Sequence, residues 1–227
     1  MTGRFEGLTV LVTGATGGFG RHAARRFADE GASLVLSDRD PAGLEELSRS
    51  FEATTASLAG DIADERLAPD LVDLALRSFG RLDIALNNAG IAHDFARLPD
   101  IPTEEARHVI DIDLMGVFHA MKAELPVMER QFRETGKGGA VVNVASVAGL
   151  TGAPRLSIYA AAKHGVVGLT RSAAAEFAGK GVRINCVCPS YARTPMAEAL
   201  LASPWGREKT EADLTRGVPM RRLAEVD

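Results

Sequence analysis

Cysteine is nearly absent from this chain: among 227 residues there are two, Cys186 and Cys188. A C-x-C pair with no further Cys or His ligands nearby builds neither a disulfide framework nor a zinc site, so both are expected to be buried free thiols in a reducing compartment. Long apolar runs are missing as well. No stretch of about 18 apolar residues occurs, and Met1–Gly7 has no apolar signal core, which leaves a cytoplasmic protein without a membrane span as the expectation. Neither sign of charge is in excess: 26 Lys and Arg against 30 Asp and Glu give a formal net charge of −4. That balance excludes a general binder of nucleic-acid backbone. His93, His119 and His164 lack metal-ligand spacing, so no metal is expected. There is no linker rich in Pro, Gly or Ser and no internal repeat, so residues 1–227 are read as one domain.

What is present is an alternation of short apolar strands and amphipathic helices. Strand-like runs occur at Leu8–Val12, Ala32–Ser37, Thr54–Ala59, Leu82–Leu86, Ala140–Val144 and Val182–Val187. Helical spacing fills Arg21–Glu30, Pro41–Ser50, Glu65–Phe79, Thr103–Glu134 and Ser157–Ala178, with Pro126 expected to kink the longest. This is the signature of βαβ units, hence a parallel sheet covered on both faces.

The first strand breaks into Thr13-Gly14-Ala15-Thr16-Gly17-Gly18-Phe19-Gly20 and then a helix. Glycines permit the tight turn and let the backbone approach a pyrophosphate, while the helix N-terminus offers free N–H groups to that anion. The spacing G-x-x-x-G-x-G is neither G-x-G-x-x-G nor a P-loop, and by itself it also fits a plain structural loop. Asp38 ends the second strand, 24 residues after Gly14. A carboxylate there accepts hydrogen bonds from an adenosine ribose diol and repels a 2′-phosphate. Arg39 beside it would pair with such a phosphate, but Ala15 and Thr16 add no second cation, so NAD is favoured over NADP. Taken alone, Asp38 also fits a solvated charge at a strand end.

Tyr159-Ala160-Ala161-Ala162-Lys163 opens a helix, and an i, i+4 pair falls on one face about 6 Å apart. Tyrosine is a poor base at neutral pH, with an ordinary pKa near ~10. A neighbouring ammonium favours the phenolate. Ser146 follows the strand Ala140–Val144, where strand ends of a doubly wound sheet meet the ligand crevice. In isolation the Tyr–Lys pair is a surface pair and Ser146 a turn residue.

In combination they resemble the short-chain dehydrogenase/reductase family over essentially the whole chain. The matching segments are TGATGGFG (Thr13–Gly20), SDR (Ser37–Arg39), GDI (Gly60–Ile62), NNAG (Asn87–Gly90), VNVASVAG (Val142–Gly149), YAAAK (Tyr159–Lys163) and RINCVCPSYARTPM (Arg183–Met196). The resemblance implies a Rossmann-type doubly wound α/β domain that moves hydride between NAD and a small alcohol or ketone. It implies Tyr159 as general acid/base, Ser146 on the substrate oxygen, and Lys163 on the nicotinamide ribose. Gly14, Thr16, Gly18, Phe19, Gly20, Asp38 and Arg39 would hold the adenosine and pyrophosphate, with Asp61 and Ile62 flanking the adenine. Asn88 would lie near the adenosine-side ribose, and Ala192 and Thr194 near the carboxamide. A homodimer or homotetramer is implied too.

Three departures from the family pattern stand out. Asp113 occupies the place of an asparagine that shapes a kinked helix and a water relay to the lysine. Its charge is expected to hold Lys163 as an ammonium and to alter the pH profile, so it joins the catalytic candidates. Ser190 replaces a frequent glycine beside the nicotinamide pocket. After Gly217 the family's last helix and strand are not evident, which would leave Val182–Val187 as a sheet edge. Substrate choice is expected to rest with Ile91–Leu98, Leu150–Leu156 and a lid over about 194–217 that carries Met196, Leu200, Leu201 and Trp205. Phe95 and Tyr191 are candidate pocket walls for a partly hydrophobic substrate. Two competing readings are an NAD-binding regulatory or assembly module without turnover, and a lyase or epimerase that keeps NAD bound.

Overall fold

A computed structural model describes residues 3–201 and 206–226, with the side chains of Ala199 and Leu200 outside the described set. Its centre is a six-stranded parallel sheet: β1 Thr9–Thr13, β2 Ser33–Asp38, β3 Thr55–Ala59, β4 Ile84–Asn87, β5 Gly139–Val144 and β6 Val182–Val187. The strand order is β3-β2-β1-β4-β5-β6. The chain winds outward from β1 to β3, then returns to pair β4 on the other side of β1. The carboxyl ends of β1 and β4 therefore diverge into a crevice, the place where such sheets bind ligands.

β1 is buried at every position, as a central parallel strand must be when helices cover both faces. β6, at the edge, alternates instead, with Val182 and Ile184 buried and Arg183 and Asn185 exposed. Val187 at its end is 46% exposed.

The helices divide between the two faces. α1 (Gly18–Asp29) and α2 (Pro41–Arg49) send Ala24, Leu44 and Leu47 against Val10, Val12, Leu34 and Leu36. α3 (Leu67–Phe79), α5 (Gly116–Thr135) and α6 (Ser157–Phe177) send Leu71, Met121, Met128 and Val166 against Leu11, Val35, Ala85 and Val141. Successive residues of one strand thus feed opposite cores, which is the period-2 geometry of a strand. Burying each such Leu, Val or Met contributes about 1.5–3 kcal/mol.

The region expected as one long kinked helix is built differently. α4 (Thr103–Ile110) passes through a π-helical turn, Asp111–Met115, into α5, which runs on through Pro126. The irregularity sits at Asp113 rather than at the proline, and the π turn brings Asp113 inward with no exposed surface. π-bulges of this kind collect at functional sites because they re-aim one side chain without ending the helix. α7 (Pro195–Leu201) and α8 (Arg207–Thr215) follow β6. The segment after them returns to the sheet: Ala224 bridges Ala192, and Leu223 is buried. Among the described residues no helix is long and apolar enough to cross a membrane.

Candidate active site

The glycine turn is held from outside. Gly14 has φ +62°, and a Cβ there would lie 2.8 Å from the Ala89 Cα. Asn88 Nδ2 donates to the carbonyls of Thr13 and Gly14 at 3.1 and 3.0 Å, while Thr13 Oγ1 accepts from the backbone N–H of Asn88 and Ala89. The NNAG segment is therefore a strut for the turn as much as a wall of the crevice. Gly17 caps α1 without a side chain, so the first-turn N–H groups of α1 have neither a side-chain cap nor an intrahelical acceptor. A Cβ on Gly18 would sit 2.6 Å from Thr194 Cγ2, and one on Gly20 would sit 2.0 Å from the Gly14 carbonyl oxygen. Gly14, Thr16, Gly18 and Phe19 line the crevice. Gly20 stands behind them, where it serves the tightness of the turn.

Asp38 is tied to the same turn, with Oδ2 accepting from Thr16 N–H at 3.0 Å and Oδ1 from Asp40 N–H at 3.3 Å. Arg39, Asp61 and Ile62 line this end as well.

At the other end the helix start places Tyr159 and Lys163 on the pocket side of α6, with Lys163 Nζ 5.6 Å from the Tyr159 ring centroid. Lys163 is buried. Its Nζ donates to the Val144 carbonyl at 3.1 Å and lies 3.2 Å from Asp113 Oδ2. Asp113 Oδ1 accepts from the Ile91 N–H at 2.8 Å. Burial pushes the Asp113 carboxyl above the ordinary carboxylate range, against the pull of the Lys163 ammonium. Ser146 is extended and 8% exposed, and its Oγ accepts from the Ala148 N–H at 3.2 Å. Tyr191 faces the same space; burial first, then the neighbouring Tyr159 hydroxyl, push its phenol upward.

Apart from Gly20 and Asp113, these groups border one continuous pocket of about 790 Å³. Of the expected site residues, Asp113 and Gly20 stand behind its wall and the rest line it. Asn88, Ala192 and Thr194 are among the lining residues, and Ser190 lines the wall beside Tyr191. Phe95 does not line it; its carbonyl accepts from Arg155 instead. Ile91, Ala92, Thr151, Pro154 and Leu156 also line the pocket, with Met196 of α7, Leu214 of α8 and Val218 just after it. Leu201 is buried, whereas the Leu200 side chain and Trp205 lie outside the described residues. The wall beyond Tyr159 carries no charged side chain among the described residues; Asp38, Arg39, Asp40 and Asp61 all stand at the opposite end.

His93 is buried with Nδ1 on the Asp94 carbonyl oxygen at 2.7 Å, and no group able to hold a metal occurs among the described residues. Cys186 and Cys188 are free but only half-buried. Unforeseen in the sequence reading was the supporting layer: Thr13, the Val144 carbonyl, and the buried chain of Asn87, Asn143 and Glu124. Glu124 did leave a signal, a lone carboxylate at helical spacing among Met121, Leu125 and Met128 on the buried face of α5.

A family model described as short chain dehydrogenase matches residues 8–204. The cyclohexanol dehydrogenase of Acinetobacter sp. (strain SE19) is 36% identical over 230 residues, spanning 100% of this chain and 86% of that protein. Among solved structures, levodione reductase superposes with a TM-score of 0.92 at 36% identity, covering 98% of this chain and 87% of that one. An NAD⁺-bound xylitol dehydrogenase gives 0.89 at 30% identity, covering 98% and 89%.

Proposed function

This chain belongs to the short-chain dehydrogenase family, and on that premise we propose that it moves hydride between NAD(H) and a secondary alcohol or ketone, with Tyr159 as the general acid/base. The observation that carries the reading is the meeting of Ser146, Tyr159 and a buried, doubly held Lys163 at one end of a pocket whose other end is the glycine turn and Asp38.

The residues present fit a dinucleotide. The backbone of Thr16, Gly18 and Phe19 would take the pyrophosphate at the uncapped start of α1. Asp38, with its oxygens fixed by Thr16 and Asp40, would take the adenosine ribose diol and favours NAD over NADP. Bound there, the cofactor would supply the hydride acceptor or donor.

The remaining work falls to the chain. Ser146 orients the substrate oxygen toward the Tyr159 hydroxyl. In oxidation the Tyr159 phenolate accepts the alcohol proton, and in reduction the phenol donates it. Lys163, with its ammonium fixed between the Val144 carbonyl and Asp113, stabilises the phenolate without swinging away. The uncharged wall of Ile91, Ala92, Pro154, Leu156 and Met196 favours a neutral substrate with an apolar body. Assembly as a homodimer or homotetramer belongs to the same proposal and is read by light scattering.

The deciding experiment compares wild type with Tyr159→Phe at 340 nm over a panel of cyclic and open-chain secondary alcohols and ketones, together with NADH binding by fluorescence. Turnover should fall about 10²- to 10⁴-fold while NADH binding persists. Undiminished turnover in the variant would remove Tyr159 from the chemistry. Binding of NADH with no turnover on any substrate would favour a regulatory module instead.

A further inference from the structure

Behind the crevice, α5, β4, β5 and α6 enclose a chain of polar side chains that the proposed chemistry does not use. Its hydrogen-bond directions can be worked out from one end. The Thr170 hydroxyl donates to the Val166 carbonyl at 2.7 Å, so its oxygen must accept from Asn143 Nδ2 at 2.9 Å. Asn143 therefore presents Oδ1 to Asn87, its register partner on β4, and Asn87 answers with Nδ2 at 3.0 Å. The same Nδ2 donates to Glu124 Oε2 at 3.2 Å. Both hydrogens of the Asn87 amide are then used.

Two oxygens are left over on these two touching side chains: Asn87 Oδ1 and Glu124 Oε1, both buried and both without a protein donor. Two unpaired acceptors in such a place are costly, at roughly 1–3 kcal/mol each. The void beside Asn87, bounded by Thr13, Ile62, Gly116 and Val117, has no room for a water molecule to serve the Asn87 oxygen. A single hydrogen on Glu124 Oε1 would satisfy both. We propose that Glu124 is a neutral carboxylic acid in the working protein, that its Oε1–H donates to Asn87 Oδ1 to close a cyclic acid–amide pair, and that this pair positions the strut of the cofactor turn.

The path to the turn is short. Asn87 is the last residue of β4, and the next two residues, Asn88 and Ala89, hold Thr13 and Gly14 by their side-chain and backbone hydrogen bonds. Glu124 is thus a positioning residue that acts through Asn87.

Among the described residues no charge competes for this role: on α5 itself Lys122, Arg130, Arg133 and Glu134 are exposed and His119 and Glu129 are half-buried. β4 and β5 contain no ionisable residue. Asp70, Asp73 and Arg77 of α3 are exposed, as are His164, Arg171 and Glu176 of α6 and Arg183 of β6. Lys163 of α6 is held by Asp113 and Val144. Burial alone pushes the Glu124 carboxyl up to about 7, against a small pull from Asn87. Above that pH the carboxylate would face the Asn87 oxygen with no hydrogen between them, and the strut would loosen.

The test measures NADH affinity between about pH 6 and pH 8.5 for wild type and Glu124→Gln, whose amide has the same outline and supplies a permanent N–H. Wild-type affinity should fall about tenfold more than that of the variant across this range, the equivalent of a one-unit linkage. Glu124→Gln should keep the wild type's low-pH affinity throughout. Parallel curves would overturn the proposal. The proton itself is visible in the infrared spectrum of the wild type near pH 6 as a carboxylic-acid carbonyl band. Its absence would overturn the proposal even if Glu124→Gln failed to fold. Neither readout requires Tyr159 to act, so failure here and failure of the proposed chemistry are separable.

Discussion

Replacing Asp113 by asparagine removes one negative charge from the centre of the site while preserving its outline. The carboxylate lies 3.2 Å from Lys163 Nζ, and both side chains are almost wholly buried. At an effective dielectric constant of about 20, two unit charges at that distance attract by roughly 5 kcal/mol, most of it offset by desolvation. Breaking such a pair from one side costs about 3–5 kcal/mol, because the partner charge stays buried. Asp113→Ala should therefore lower the unfolding midpoint by on the order of 10 °C, at about 2–4 °C per kcal/mol for a chain of this size. Asp113→Asn keeps an acceptor for the Ile91 N–H and should lose roughly half as much.

The kinetic consequence has a definite sign. With the anion gone, the Lys163 ammonium, 5.6 Å from the Tyr159 ring, acts uncompensated and favours the phenolate more strongly. The acid limb of kcat/KM for alcohol oxidation should move to lower pH by about one unit. The assay is a pair of pH–rate profiles at saturating NAD, alongside urea unfolding of wild type, Asp113→Asn and Asp113→Ala. Superimposable profiles would mean that the carboxyl is already neutral in the working enzyme, and the argument would fail. So would an Asp113→Ala variant within about 1 kcal/mol of wild type, since an ion pair this deep cannot be removed so cheaply.

Two other substitutions address the opposite end of the pocket. Gly18→Val would drive its side chain into Thr194, which a Cβ alone would meet at 2.6 Å; NADH affinity should drop about 100-fold with the fold intact by circular dichroism, given the 1–3 kcal/mol typical of overpacking. Retained affinity would show that Thr194 yields freely. Asp38→Ala should weaken NAD and strengthen NADP, shifting the ratio of their kcat/KM values by about tenfold or more toward NADP. An unchanged ratio would reduce Asp38 to its bonds with Thr16 and Asp40.

The sequence by itself determined the alternation of strands and helices, the glycine turn, and the order of the motif segments. Those are local properties: period-2 and period-3.6 patterning and the need for Gly14 at positive φ are written in neighbouring residues. It also marked Asp113 as a departure from the family pattern, and Tyr159 with Lys163 as one helix face. Only the tertiary structure decided what those residues touch. Local spacing places a bend at Pro126, yet the helix runs through it and turns irregular at Asp111–Met115, where Asp113 must reach Lys163 and the Ile91 amide. Gly20 reads as a ligand contact, yet the Gly14 carbonyl fills the space that a side chain would need. Glu124 reads as one more carboxylate on a helix until β4 and β5 close over it beside Asn87 and Asn143. In each case the partner is dozens of residues away or across an element boundary, and the fold alone brings it within hydrogen-bonding distance.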